Sequence, residues 1–376
     1  MSELEELIQK LCPNGVRYKY LEEVVKCTKG KQLNKQGLFE EGLYPVINGG
    51  ISPSGFWNEY NFEKNTITIS QGGASAGYVN WQENRFWAGA HCFVLVNSSN
   101  KVDYRFLYHV VKNYERKLSE CQYGAGIPAL ATKTINDLLI PVPPKEVQCE
   151  IVRILDNFTE LTTELTTELT ARKKQYEYYM DNLLTFDADI KKVKIRDYFE
   201  RLKGTPITAG KMKEVETKDG DIKIFAGGRT QVFANEEDIP NANIARVPAI
   251  LVQSRGIIDF VLYDKPFTFK NEMWAYTCKE KTTLKFLYHL LKKDIEYFVN
   301  ASSRTGAMPQ ISLPVTEEYS IHLPPLEEQQ RIVDILDKFD AYCNDLSIGL
   351  PAEIAARQKQ YEYYRDKLLT FKELKA

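Results

Sequence analysis

A chain of 376 residues is too long for one compact core and fits two medium domains plus connecting elements. Hydrophobic residues make up 43% of it, with 22 Tyr, 18 Phe and 4 Trp, which is enough for two buried cores and excludes an intrinsically disordered polypeptide. The formal charge of −2 excludes a strongly basic protein that grips nucleic acid unaided, so any such role needs local basic patches or help from other subunits.

The chain begins Met1-Ser2-Glu3-Leu4-Glu5-Glu6, without the basic start and apolar run of a signal peptide, and no apolar window long enough for a membrane helix follows. A soluble, cytoplasmic protein is expected. Residues 1–140 should form a first globule, with strands near 66–70 and 93–96 separated by Gly and Asn turns and a helix over about 103–120. Residues 141–187 then read as one long helix. Pro143-Pro144 marks its start, and Ile151, Leu155, Phe158, Leu161, Leu165, Leu169, Tyr176, Tyr179 and Leu183 recur at three- and four-residue steps. From 145 to 186 it would be roughly 60 Å long at ~1.5 Å per residue, too long for a globular core and suited to pairing with a second helix. Within it, residues 159–170 are three successive copies of Thr-Glu-Leu-Thr. Residues 188–320 should form a second globule, with strands near 249–252 and 260–263 and a helix over about 283–299, and residues 321–376 a second long helix. The seven cysteines, at 12, 27, 92, 121, 149, 278 and 343, never form a Cys-x-x-Cys pair and read as ordinary buried thiols.

The decisive feature is an internal repeat. Glu150-Ile-Val-Arg-Ile-Leu-Asp-Asn-Phe158 returns as Arg331-Ile-Val-Asp-Ile-Leu-Asp-Lys-Phe339, an offset of 181 residues. Arg172-Lys-Lys-Gln-Tyr-Glu-Tyr-Tyr179 and Leu183-Leu-Thr-Phe186 return as Arg357-Gln-Lys-Gln-Tyr-Glu-Tyr-Tyr364 and Leu368-Leu-Thr-Phe371, an offset of 185, so four residues are inserted within the second copy. The globules match more weakly: Phe106-Leu-Tyr-His109 with Phe286-Leu-Tyr-His289, Gly126-Ile-Pro128 with Gly306-Ala-Met-Pro309, and Gly49-Gly50 with Gly227-Gly228. Between these marks the loops differ freely. A common scaffold has been duplicated and its loops rewritten.

Two variable globules alternating with two similar helices, a Pro-Pro start followed by Glu and Gln (Pro324-Pro-Leu-Glu-Glu-Gln-Gln330), and Gln-Tyr-Glu-Tyr-Tyr near both helix ends resemble the specificity (S, HsdS) subunit of type I restriction-modification systems, over essentially the whole chain. The resemblance implies an α+β fold with two target-recognition domains alternating with two long antiparallel helices in a pseudo-twofold repeat. Each recognition domain would read half of a split double-stranded DNA target, and the helices would space the domains and dock two methyltransferase (M) subunits. It also implies S-adenosylmethionine in those partners, ATP and Mg in restriction (R) subunits, and no cofactor in this chain. The Thr-Glu-Leu-Thr run is similar to tetrapeptide repeats in the central helix of some members.

No catalytic constellation competes with this reading. Both Pro-Pro pairs are followed by Lys145 or Leu326, not by the aromatic residue of an adenine methyltransferase motif, and no Gly-x-Gly-x-x-Gly opens a helix after a strand. Gly204 to Lys211 has one residue too many for a phosphate loop, and Met212 stands where Ser or Thr would bind magnesium. The histidines at 91, 109, 289 and 322 lack metal-ligand spacing; His109 and His289, in the matched phrases, read as scaffold, whereas His91 could reach DNA. Glu214-Val-Glu-Thr-Lys218 has no match in the first globule and reads as a charged turn. The chain is therefore expected to be non-catalytic, and the alternatives are a single-chain nuclease or methyltransferase and a structural coiled-coil spacer.

DNA contact needs cations for phosphates and guanidinium or amide groups for base edges. Candidates on the divergent loops are Lys29, Lys31, Gln71 and Arg85 in the first domain and Arg229, Gln231, Gln253, Arg255 and Arg304 in the second, with Arg255 and Gln71 the preferred base readers. Gly72, Gly73, Gly228 and Gly256 beside them would let backbone approach phosphate or simply make turns. Tyr176, Tyr178, Tyr179 and their copies Tyr361, Tyr363 and Tyr364 cannot all face one partner helix, since consecutive positions diverge by about 100°. They are candidates for docking M subunits or for packing on the neighbouring domain.

Overall fold

A computed structural model describes residues 3–33, 37–97, 101–122, 128–239, 241–303 and 308–374. The chain divides into two compact units, residues 1–165 with 354–376, and residues 166–353. Each therefore combines one globule with part of both helical repeats.

The first unit opens with α1 (Glu3–Leu11), β1 (Arg17–Tyr20), β2 (Val25–Lys29), β3 (Tyr44–Ile47), β4 (Phe56–Trp57), β5 (Thr66–Ser70), β6 (Val79–Gln82), β7 (Trp87–Ala88) and β8 (Cys92–Asn97). It continues through α2 (Tyr104–Asn113), α3 (Glu115–Glu120), α4 (Thr132–Asn136) and β9 (Leu139–Val142) into α5 (Lys145–Leu183). An antiparallel sheet in the order β2-β8-β5-β6 carries a core of Ile67, Ile69, Phe93, Leu95 and Phe106; β4-β3-β7 forms a smaller sheet in which β3 and β7 run parallel, and β1 pairs with β9.

The second unit follows the same plan. Its elements are β10 (Lys192–Lys194), α6 (Ile195–Tyr198), β11 (Glu200–Lys203), α7 (Ala209–Glu214), β12 (Ile222–Phe225), β13 (Gln231–Ala234), β14 (Ala249–Gln253), β15 (Asp259–Tyr263), β16 (Phe267–Phe269) and β17 (Trp274–Thr277). After them come α8 (Lys281–Lys293), α9 (Ile295–Asn300), α10 (Leu313–Glu317), β18 (Ser320–His322), α11 (Leu326–Asn344) and α12 (Leu350–Leu368). The sheet order β11-β17-β14-β15 matches β2-β8-β5-β6, β13-β12-β16 matches β4-β3-β7 including its one parallel pair, and β10-β18 matches β1-β9. The repeat is thus a repeat of topology, although the loops share little sequence.

The four strands expected from the sequence lie within β5, β8, β14 and β15. Each helix expected at a domain end is two, turning at Tyr114 and at Asp294.

α5 is one continuous helix of 39 residues, about 58 Å at ~1.5 Å per residue. Its threonines are accommodated by back-bonding: Thr159 Oγ1 donates to Leu155 O at 3.1 Å, Thr162 Oγ1 to Phe158 O at 2.8 Å and Thr163 Oγ1 to Thr159 O at 2.9 Å. Leu161, Leu165 and Leu169 form a half-buried stripe.

The second repeat differs from the single long helix expected for it. It breaks between α11 and α12 where the extra residues fall: Asp345 Oδ1 accepts from Ser347 N at 2.6 Å and Ile348 N at 3.2 Å, turning the chain away from helix. A Cβ on Gly349 would lie 2.5 Å from Ala341 O, so the turn requires glycine there, and Pro351 follows within the first turn of α12. In the second unit α5 and α11 run antiparallel. Tyr342 on α11 donates to Glu168 on α5 at 3.2 Å, while Phe339 lies against Tyr176 and Tyr179 further along α5.

A repeated polar pin ties each globule to its helix. His109 on α2 and His289 on α8 are both fully buried, and their Nε2 atoms lie 2.8 Å from Asp156 Oδ1 on α5 and 2.7 Å from Asp337 Oδ1 on α11. Arg105 reinforces the first pair and Lys285 the second. Gln148 and Gln329, buried in the first turns of α5 and α11, each donate Nε2 at 2.7 Å to a carbonyl of the Pro-Pro start, Pro143 O and Pro324 O. The matched histidines and the Gln of the helix start are scaffold, as their recurrence suggests.

Burial holds the His109 pKa below its ordinary value, although Asp156 opposes the shift, and Asp156 is itself held low by His109 and Arg105. His109 is thus neutral at pH 7, with Nε2–H donating to Asp156. Both groups bind fewer protons folded than unfolded, so their contributions to stability are present at neutral pH and lost on acidification. The first unit should lose stability as the pH falls below about 6.5, the ordinary histidine value. Asn in place of His109 should flatten the part of that loss between pH 7 and 5, which thermal melts over this range would show.

Cysteine exposure departs from expectation. Cys12, Cys92 and Cys343 are buried, but Cys121 and Cys149 are exposed, the latter on the outer face of α5. Burial pushes the thiol of Cys92 up to about 12 and that of Cys27 to about 11, so neither is a reactive thiolate.

Candidate nucleic-acid interface

In each unit the strand at the centre of the larger sheet runs into a tight turn over an open cleft. β5 leads into Gln71-Gly72-Gly73, where Gly73 N donates to Pro128 O at 2.9 Å and Leu130 N to Gln71 O at 2.7 Å. β14 leads into Ser254-Arg255-Gly256, where Gly256 N donates to Pro309 O at 2.9 Å and Ile311 N to Ser254 O at 2.9 Å. Gly73 and Gly256 sit at φ +77° and +84°, the left-handed region that glycine alone enters at no steric cost. The Gly-Gly marks lie beneath these turns: a Cβ on Gly49 would be 3.1 Å from Gly72 O, and one on Gly227 3.6 Å from Arg255 O.

Each cleft has a volume of about 430 Å³. The first is lined by Gln32, Asn48, Gly49, Gly72, Gly73 and His91, and the second by Lys213, Gly227, Gly228, Arg255, Glu272 and Met308. The frames agree and the side chains do not. Asn48 Oδ1 accepts from His91 N at 3.0 Å, which holds the exposed His91 at the rim of the first cleft. In the second, Lys270 pairs with Glu272 at 2.7 Å.

The sequence-derived candidates scatter around these clefts. Lys29 and Lys31 are exposed at the end of β2 and just beyond it, with no carboxylate in ion-pair range among the described residues, and Lys29 Nζ lies 5.2 Å from the Phe93 ring centroid. Gln71, Gly72 and Gly73 form the first turn itself. Arg85 is exposed but engaged, 2.9 Å from Glu63 and 4.7 Å from the Tyr60 ring centroid, so a phosphate would have to displace a carboxylate. Gln231 is exposed on β13, and Arg255 is exposed on the second turn. The expectation for Gln253 is corrected: it is 4% exposed, because β14 is central and its side chain falls on a buried face. Arg304 and the side chain of Arg229 lie outside the described residues. Asn48, Lys213, Lys270 and Glu272 were missed; the only local sign of any of them is Asn48 preceding the Gly-Gly pair.

The tyrosines of the helical signature divide by face. Tyr176 and Tyr361 pack into the two cores, and Tyr361 O–H donates to His109 Nδ1 at 3.4 Å, so these two are corrected from docking candidates to scaffold. Tyr179 lies against Phe339 and Tyr364 against Phe158, ring centroids 5.2 and 5.4 Å apart. Tyr178 and Tyr363 remain 65% and 63% exposed at equivalent positions of the two repeats, which leaves them free to anchor another protein.

Among the described residues no group of three or more His, Cys, Asp or Glu could hold a metal ion, and no helix is long and apolar enough to cross a membrane.

The chain is similar to known proteins over nearly its whole length. The "Type I restriction modification DNA specificity domain" family matches twice, at residues 13–173 and 188–356. A type I restriction enzyme specificity subunit of Haemophilus influenzae is 31% identical with 98% of both chains covered, and the EcoR124I/EcoR124II specificity subunit of Escherichia coli is 32% identical with 99% of this chain and 97% of that one covered. The crystal structure of a type I system S subunit from M. genitalium shares the fold, with a TM-score of 0.68 at 20% identity over 94% of this chain and 96% of that one. Two copies of one domain, a shared frame with rewritten clefts, and relatives of the same length agree: the chain belongs to the type I restriction-modification DNA specificity family and is a specificity subunit, the DNA-recognition component of its system and not a catalytic one.

Proposed function

We propose that this chain reads a bipartite double-stranded DNA target, one half with each globule, and presents the two halves to two methyltransferase subunits docked on the helical repeats. The observation that carries the reading is the pair of clefts, built on one frame and lined by different side chains. Phosphate contacts fix register without carrying sequence information, whereas side chains at base edges specify. Rewriting the cleft while keeping the frame changes the word read and preserves the docking geometry.

Tyr178 and Tyr363 are the proposed docking anchors, one per repeat, consistent with two equivalent partners. S-adenosylmethionine would be held by those partners and ATP with Mg by restriction subunits, in a soluble cytoplasmic complex; base flipping for adenine methylation then takes place in the partner. Basic surfaces on the partners would offset the charge of −2 on this chain.

Replacing residues 193–320 with the same region of another family member tests the reading. Mapping of methylated adenines should show one half of the target changed and the other intact. A change in both halves together would mean that the globules do not read independently.

A further inference from the structure

Aligned by their hydrogen bonds, the two turns correspond residue for residue. Gly73 N to Pro128 O matches Gly256 N to Pro309 O, and Leu130 N to Gln71 O matches Ile311 N to Ser254 O. The residue between is Gly72 in one domain and Arg255 in the other, each bridged antiparallel to the chain beside the matched proline, at Ala129 and at Gln310. One backbone site thus carries no side chain in the first globule and a guanidinium in the second.

The surroundings of Arg255 suit it to reading a base. It is exposed, no carboxylate lies within ion-pair distance of its guanidinium among the described residues, and nearby Lys270 already has Glu272 as partner. Its backbone is clamped on both sides, since its carbonyl accepts from Gly228 N at 3.2 Å and the next residue is held at φ +84°. A Cβ on Gly73 in the first turn would meet nothing within 4 Å, nor would one on Gly228, which lines the second cleft together with Arg255, so open space borders both clefts. A free guanidinium on a rigid turn over an open cleft matches the planar, two-point demand of guanine O6 and N7.

We infer that positions 72 and 255 are a single specificity-determining position of the duplicated domain, at which Arg255 reads a guanine in one half-site and Gly72 leaves the equivalent base pair unread in the other. The inference rests on the proposed reading of a split target and adds a residue and a base to it. It also makes the position transplantable. Gly72 has no positive φ, and a Cβ there would lie 3.5 Å from Pro128 O, an ordinary contact, so the turn accepts a side chain.

The test uses the full chain assembled with its modification subunits, with methylated-site mapping and competition binding against duplexes varied one base pair at a time. R255A and R255K should each lose discrimination at one guanine of one half-site by roughly 10- to 100-fold, the range of a bidentate base contact. R255K keeps the charge and should keep more of the overall affinity. Conversely, G72R should gain a guanine preference at one new position of the other half-site, with G72A as the control for added bulk alone. Unchanged discrimination in R255A, full discrimination in R255K as expected of a phosphate contact, or no new preference in G72R with G72A intact would each overturn the inference. If instead the unaltered complex bound and methylated DNA without sequence preference, the reading of a split target would itself fall.

Discussion

Deletion of residues 163–166 should shorten the non-specific gap between the two half-sites by one base pair and leave both half-site sequences unchanged. The run they belong to lies inside α5, where the boundary between the two compact units also falls, at 165 and 166. Four residues contribute ~6 Å of rise and about 400° of rotation, a net ~40°. One base pair contributes ~3.4 Å and roughly 35°. The angular steps nearly agree and the rises do not, so tilt or bending must absorb the remainder. The non-helical residues 345–349 offer such slack in the second repeat. Removal of one whole repeat keeps the leucine stripe of α5 in step and the threonine back-bonds available. Nearly every methylated site in a genome should move as a result. Mapping them would show it, and an active variant with an unchanged gap would show that the run does not set the spacing.

Phe286→Ala should cost about 3–5 kcal/mol in the second unit and abolish recognition of one half-site only. Phe286 is fully buried on α8, in the core formed with Leu336 and Ile332 of α11, and its ring lies 5.9 Å from that of Phe186. Truncation opens a cavity at the seam that fixes the cleft-bearing sheet to its helix. Hydrogen exchange should quicken across 193–323 while 16–142 keeps its protection. Equal loss of protection in both would show that the two units unfold together. Phe106→Ala, at the matched site in the first unit, should reverse the pattern.

The matched helical phrases were readable because a helix paired over several turns leaves periodic apolar residues that insertions elsewhere cannot hide. The histidines were readable as scaffold for a related reason, since the same His recurs beside the same phrase and the Asp it needs recurs 47 and 48 residues later. The break between α11 and α12 was visible only as a four-residue surplus, because Asp345 and Gly349 act through backbone contacts that no periodicity records. Gln253 misled because a glutamine beside an arginine and a glycine looks like a loop, whereas it ends a central strand that is buried on both faces. The choice among the tyrosines was equally out of reach, since neighbours about 100° apart differ in exposure only once a partner helix is in place.

By itself, then, the sequence determined that there are two domains on one frame, that long helices connect them, and which family this pattern belongs to. All of these are carried by repetition and periodicity, which survive without knowledge of contacts. Only the tertiary structure decided that each compact unit draws helix from both repeats, that Tyr178 and Tyr363 face outward while Tyr176 is buried and Tyr361 half-buried against a core, and that Gly72 and Arg255 are one position. The reason is physical. These properties depend on hydrogen bonds and burial between residues tens to hundreds of positions apart, and in the rewritten loops the correspondence is kept by backbone hydrogen bonds, with only an isolated Gly and Pro left in common.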